Sequence, residues 1–157
     1  MSRLQLALNV SNLEESIKFY TKLFGVEPAK VKPGYANFAS QHGLVGFQQR
    51  VTGEVAISEP PLKLVLMENS EPGGSINHLG VEVEDTEEVE RWEAKLVTQE
   101  MNPQAQKNNT CCYAKQDKFW VADPDSAPWE IYTVLENSAS FGENVRPDLT
   151  ASNSSGT

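Results

Sequence analysis

The chain has 157 residues, of which 39% are hydrophobic, 8% aromatic and 22% charged. That is enough apolar matter for one domain or two small packed halves, and too much for a wholly disordered chain. Lys and Arg number 13 against 22 Asp and Glu, a net charge of -9 that disfavours nucleic acid and anionic membranes as partners. No apolar run approaches the length of about 20 residues that crosses a bilayer, and the opening residues enter a strand-like pattern at once. The expectation is a soluble, cytoplasmic protein.

Leu4 to Val10 alternates as a strand does. Ser11 with Glu14 reads as a capping box, and Leu13, Ile17, Tyr20 and Phe24 share one helical face that Gly25 ends. Val31 to Ala39 and Leu62 to Met67 are strand-like, and a polar hinge with Gly73 and Gly74 follows. The same signals then return. Ile76 to Val83 reads as a strand, and Glu84 to Val97 as a helix carrying Val89, Trp92 and Leu96. Tyr113-Ala114 and Phe119 to Ala122 are strand-like, Asp123 to Ser126 is a turn, and Trp129 to Leu135 is a last strand. Residues 136–157 are rich in Ser, Asn, Gly and Thr and are expected to form a flexible tail.

The recurrence can be tested. A shift of 73 positions lays Leu6-Ala7-Leu8-Asn9-Val10 on Leu79-Gly80-Val81-Glu82-Val83, and near the ends of the halves a shift of 67 lays Pro61-Leu62-Lys63-Leu64 on Pro128-Trp129-Glu130-Ile131. Two copies of a strand-helix-strands unit, about 1–70 and 75–135, explain both matches. Gln5 then corresponds to His78, and Lys63 to Glu130. If the two sheets share a cleft, an amide oxygen, an imidazole and a carboxylate can reach one metal ion. A protonated Lys63 cannot ligate, which leaves an open, catalytic type of site. The plainer readings are a core histidine, an edge-strand amide and a solvated lysine. For Glu130, set between Trp129 and Ile131, a bare carboxylate would be costly without a metal or another cation. His42 reads as an exposed loop residue, and the acidic run Glu82 to Glu90 as a solvated helix start.

The two cysteines, Cys111 and Cys112, are neighbours, which random placement would give roughly once in eighty. A bridge between adjacent residues is strained, so a reduced dithiol is expected, suited to a soft, thiophilic element.

Gln5-Leu6-Ala7-Leu8-Asn9-Val10-Ser11-Asn12-Leu13-Glu14 with Leu23-Phe24-Gly25, and Asn77-His78-Leu79-Gly80-Val81 opening the second half, resemble the glyoxalase/dioxygenase superfamily. Asn109-Thr110-Cys111-Cys112-Tyr113-Ala114-Lys115-Gln116 through Val121 is more specific. It resembles the organoarsenical carbon–arsenic lyases, often labelled cadmium-induced proteins. The resemblance runs from Arg3 to about Leu135. It implies an α+β vicinal oxygen chelate fold of tandem βαβββ modules within residues 1–135. It also implies an Fe(II)-dependent, dioxygenase-type lyase that uses O2 to cleave trivalent organoarsenicals, such as methylarsonous acid or aromatic arsenicals, to inorganic arsenite in arsenic detoxification. Carried over by position, Gln5, His78 and Glu130 would hold the iron, and Cys111 with Cys112 would bind arsenic. A homodimer whose halves swap between chains is compatible with this set.

Three departures from the family stand out. Ser40 to Ala56 has no counterpart and reads as a surface loop or added hairpin. Ser126 stands where glycine is common, and glutamine rather than histidine fills the first ligand slot. Two other functions fit the same residues: a glyoxalase-type metal-dependent isomerase or thiol transferase, and a non-catalytic arsenic or cadmium binder. The first typically needs a fourth carboxylate where Lys63 stands.

Overall fold

In the computed structural model the described residues are 2–39, 62–142 and 146–149, together with the backbone of 48–49 and 55–56. His42 and most of the insert lie outside them. The chain divides into two compact units, 3–77 and a second that begins at His78.

In the first unit, strand β1 (Arg3–Val10) leads into helix α1 (Leu13–Phe24), then β2 (Lys30–Lys32), β3 (Tyr35–Phe38), the two-residue strands β4 (Gln48–Gln49) and β5 (Val55–Ala56), and β6 (Lys63–Glu68). The order across its sheet is β2-β3-β6-β1, with β1 parallel to β6 and the other pairs antiparallel. Among the described residues, strands β4 and β5 pair with each other, so the insert carries a short antiparallel ladder. Leu6, Leu8 and Val10 point to one face with Leu64, Leu66, Ala36 and Phe38, and α1 packs Leu13, Ile17, Tyr20 and Phe24 against them. Alternation sends Gln5, Ala7 and Asn9 to the other face, all buried.

The second unit repeats this order. Strand β7 (Ile76–Glu82) is followed by α2 (Thr86–Thr98), β8 (Gln104–Cys111), β9 (Ala114–Ala122) and β10 (Pro128–Asn137), arranged β8-β9-β10-β7 with β7 parallel to β10. Val89 and Leu96 of α2 bury against Phe119, Val121 and Ile131. The opposite face carries His78, Gln116, Lys118, Trp120, Glu130 and Tyr132.

Several local expectations shift. The α1 cap is Asn12, whose side chain accepts the Glu15 N–H at 3.0 Å, not Ser11; Asp85 caps α2 in the same way. The stretch 31–39 is two strands, because Pro33-Gly34 turns the chain, with Gly34 at φ +70°. Strand β8 escapes the sequence reading because its residues are nearly all polar. Strand β10 runs two residues past Leu135, and the Ser138 N–H continues to the Tyr113 carbonyl at 2.8 Å.

The register also corrects one equivalence. Gln5 lies directly across from Lys63, whereas Glu130 lies across from Gly80, two residues beyond His78. With Ala7 matched to Gly80, the ladder partner of Ala7 is Val65, so Val65 rather than Lys63 takes the place of Glu130. A two-residue slip keeps every side chain on its face and is invisible to hydrophobic patterning.

Leu66 has no exposed surface. Leu66→Ala is expected to cost about 2–5 kcal/mol, and Asn12→Ala, which removes only a cap, about 1 kcal/mol, measured by urea unfolding.

Candidate functional site

The face of the second unit turned away from α2 is polar and buried. His78 comes from β7 and Glu130 from β10; His78 Nε2 and Glu130 Oε1 stand 3.1 Å apart, with side-chain exposures of 6% and 5%. The other carboxylate oxygen, Oε2, accepts from Lys118 Nζ at 3.2 Å, and Lys118 is 0% exposed. Lys118 also donates to Gln116 Oε1 at 3.0 Å. Burial works against the lysine charge, but Glu130, Cys111 and Cys112 outweigh it and hold its pKa above the ordinary lysine value. Trp120 closes the group. Its N–H donates to Gln106 Oε1 at 3.1 Å, its ring meets His78 edge-on at 5.4 Å, and Lys118 Nζ lies 5.3 Å from its centroid.

The donor set suits a divalent ion. Two N and O ligands bonded at about 2.1 Å with a right angle between them sit about 3.0 Å apart, close to the His78–Glu130 spacing. Lys118 occupies one carboxylate oxygen and leaves the other directed at the imidazole. Among the described residues no three His, Cys, Asp or Glu side chains converge as a metal cluster, so this pair needs a donor of another kind, such as an amide. Gln5, the amide that the sequence singles out, is a buried residue of β1 in the first unit.

The two cysteines end β8 and begin its turn into β9. Neither is in a disulfide, and their sulfurs are 3.0 Å apart. Metal–sulfur bonds of about 2.3 Å let one soft centre bridge sulfurs up to about 4.6 Å apart, so the pair is pre-set to chelate. Cys111 pairs with Ala114, which leaves Cys112 and Tyr113 as the two central residues of the hairpin, at φ +53° and +60°. That is the left-handed geometry for which hairpins prefer Asn-Gly, and it costs non-glycine residues about 1–2 kcal/mol each. Tyr113 is therefore a turn residue and not part of a strand. Its ring packs edge-on against Phe141 at 5.5 Å, which helps to hold the turn.

The hydrogen bond with Cys111, then burial, then the charges of Cys111 and Glu130 push the Cys112 thiol well above its usual range, while Lys118 pulls it down. The dithiol and the His78–Glu130 group thus lie within electrostatic reach of one another. Upstream, β8 bulges between Gln106 and Asn109, and Asp117 braces the bulge by accepting the Asn108 N–H at 2.6 Å and the Thr86 hydroxyl at 2.7 Å. A separate groove of about 300 Å³ between α2 and the sheet is lined by Val81, Trp92, Met101 and Trp129 and has Asp123 at its edge; it lacks convergent polar groups and is not the candidate site.

Sequence reasoning missed Lys118, Gln116 and Trp120 as members of the site. The signal was the period-two alternation of Gln116, Lys118 and Trp120 on the strand paired with Glu130. Arg146, whose guanidinium carbon lies 5.1 Å from the Trp120 ring, gave no signal, because it sits in a polar stretch without periodicity.

An imidazole facing a carboxylate, on a β-α-β-β-β scaffold present twice, defines a class of protein. The chain belongs to the Glyoxalase/Bleomycin resistance protein/Dioxygenase superfamily, whose profile it matches over residues 3–131, and its fold is the α+β vicinal oxygen chelate fold. Among curated proteins, it is 47% identical over 151 residues to the "Cadmium-induced protein CadI" of Mycobacterium tuberculosis, covering 96% of this chain and 88% of that one. It is 48% identical over 135 residues to the "Trivalent organoarsenical cleaving enzyme" of Thermomonospora curvata, covering 85% and 78%. Among solved structures, an extradiol ring-cleaving dioxygenase from B. fuscum shares the fold with a TM-score of 0.54 at 20% identity, over 87% of this chain and 33% of that chain.

Burial opposes ionisation of Asp117, but the Asn108 N–H, the Thr86 hydroxyl and nearby lysines outweigh it and hold its pKa below the usual value. A depressed carboxylate contributes stability above its unfolded pKa and loses it as pH falls through the folded one. The wild-type thermal midpoint should therefore fall as pH drops through the acid side of the aspartate range. Asp117→Asn should be less stable at pH 7 and show a shallower decline; an unchanged slope would remove the brace from this account.

Proposed function

We propose that this chain is an Fe(II)-dependent, dioxygenase-type carbon–arsenic lyase that releases inorganic arsenite from trivalent organoarsenicals. The observation that carries the reading is a reduced dithiol with its sulfurs 3.0 Å apart in the same unit as a buried His78–Glu130 pair at metal-ligand spacing. The names of relatives at 41% and 48% identity, "Trivalent organoarsenical cleaving enzyme", support the substrate class.

In this reading Cys111 and Cys112 exchange the two As–O bonds of an organoarsonous acid for two As–S bonds. Each thiol proton leaves with a hydroxide as water. The raised thiol pKa of Cys112 is then no obstacle, because the leaving group takes up the proton. Chelation by adjacent sulfurs fixes the arsenic and restricts the directions its organic group can take. His78 and Glu130, with Gln5 as a third donor, would hold the iron; Lys118 bonds one oxygen of Glu130 and leaves the other directed at His78. When bound there, a ferrous ion with open positions would supply the electrons that activate dioxygen toward the carbon–arsenic bond.

A non-catalytic metalloid binder needs only the dithiol, and one experiment separates the two. Anaerobically Fe(II)-loaded protein is given a trivalent organoarsenical with and without air, and arsenite is assayed. The lyase reading expects arsenite only with air. Glu130→Ala, which leaves no donor at that position, should lose iron and turnover yet still bind the arsenical, and Cys112→Ala should keep iron but lose substrate. Arsenical binding with no oxygen-dependent arsenite from the loaded wild type would establish the binder instead.

A further inference from the structure

We propose that Cys111 and Cys112 form a modification site: an oxidant joins their sulfurs in a reversible disulfide, and that bridge switches arsenical binding off. The bridge rests on the geometry of the hairpin. Its effect on binding rests on the reading that these two sulfurs take the arsenic, so that arsenic and oxidant compete for one pair.

The backbone sets the pair for closure. In an extended strand adjacent side chains point to opposite faces, but Cys112 at φ +53° turns its thiol back beside Cys111, and the sulfurs stand 3.0 Å apart. A disulfide bond is about 2.05 Å long, so about 1 Å of approach separates the dithiol from the bridge. The turn is pinned. Cys111 pairs with Ala114 across it, the Ser138 N–H donates to the Tyr113 carbonyl at 2.8 Å, and Phe141 packs on Tyr113. Gly142, at φ +80°, lies so close to Thr110 that a Cβ there would overlap the Thr110 carbonyl, which holds the following chain against the strand that ends in Cys111. With its partner this near, either sulfur closes within the hairpin faster than it meets a second protein molecule.

A peroxide is the oxidant that completes the reaction. One sulfur attacks the O–O bond, becomes a sulfenic acid and releases water; the second sulfur then displaces the sulfenic hydroxyl, which leaves as a second water. Two S–H bonds break, one S–S bond forms, and the peroxide takes up two electrons and two protons. Cys112 is half-buried and meets the oxidant first, whereas Cys111 is 6% exposed. The hydrogen bond with Cys111 and burial, which raise the Cys112 thiol pKa, keep thiolate scarce at neutral pH and slow oxidation by weak oxidants. Reversal follows from strain. Successive Cα atoms stand about 3.8 Å apart, short of the range of about 4.4–6.8 Å usual for a bridged pair, so the bridge is readily reduced. Bridged sulfurs have no proton to give a departing hydroxide, and the exchange of As–O for As–S bonds stops.

The test treats the full chain, stripped of metal so that no iron consumes the oxidant, with hydrogen peroxide under nitrogen. The intact mass should fall by two hydrogens, both thiols should resist alkylation, and dithiothreitol should restore them. Calorimetric affinity for phenylarsonous acid should drop more than about tenfold in the oxidised protein and return on reduction, while Fe(II) binding stays within about twofold. Cys112→Ser should show no such mass loss, and phenylarsonous acid bound beforehand should protect the wild type. The proposal is overturned if the thiols persist, if sulfinic acids or covalent dimers form in place of the intrachain bridge, or if bridged protein binds the arsenical as well as reduced protein does. Failure of the underlying reading looks different: the bridge forms, yet reduced wild type binds phenylarsonous acid no better than a Cys111→Ser, Cys112→Ser variant, which overturns the switch and the arsenic reading together.

Discussion

A carboxylate placed in the middle of a β-sheet has to be compensated, and the arrangement around Glu130 follows from that requirement. Its neighbours along the strand, Trp129 and Ile131, belong to the apolar face, so compensation must come from across the sheet. Lys118 provides it from β9 and His78 faces it from β7, each within 3.2 Å. Breaking such a buried pair costs about 3–5 kcal/mol, because the remaining charge stays out of water. Gln116 and Trp120 in turn hold Lys118, so the direction in which Glu130 presents its remaining oxygen is fixed by its neighbours.

The cysteine hairpin shows the same economy with strain instead of charge. Two non-glycine residues in left-handed geometry bring adjacent sulfurs within 3.0 Å, which an extended strand with alternating side chains would not do. The cost is met by packing: Tyr113 is buried under Phe141, and Asp117 ties the bulge upstream to α2 through Thr86. The proposed arsenic site is thus a pre-formed chelate, and the residues after β10 are packed onto it.

Much of the fold was legible because it is written in periodicities. The helices, β1, β6, β7 and β10 follow from alternation and capping, and the repeat follows from the matched openings of the two halves. Strand β8 was hidden because polar residues fill both of its faces, and β2 and β3 merged because the Pro33-Gly34 signal was passed over. Within the candidate site, His78, Glu130 and the cysteine pair stood out as residue types in unusual settings. Lys118 did not, since a lysine in a strand ordinarily faces water and only the pairing of β9 with β10 reveals its burial. The place of Lys63 was misjudged for a related reason: sequence shifts match strands, and only hydrogen-bonded ladders fix register.

The central claim is that the thiols take arsenic while the imidazole and carboxylate take iron. X-ray absorption at both edges, on Fe(II)-loaded protein with a trivalent organoarsenical and no oxygen, tests it most directly. Arsenic should show two sulfur neighbours and one carbon, and iron should show only nitrogen and oxygen. Arsenic coordinated by oxygen alone, or sulfur bound to the iron, would contradict the division of labour.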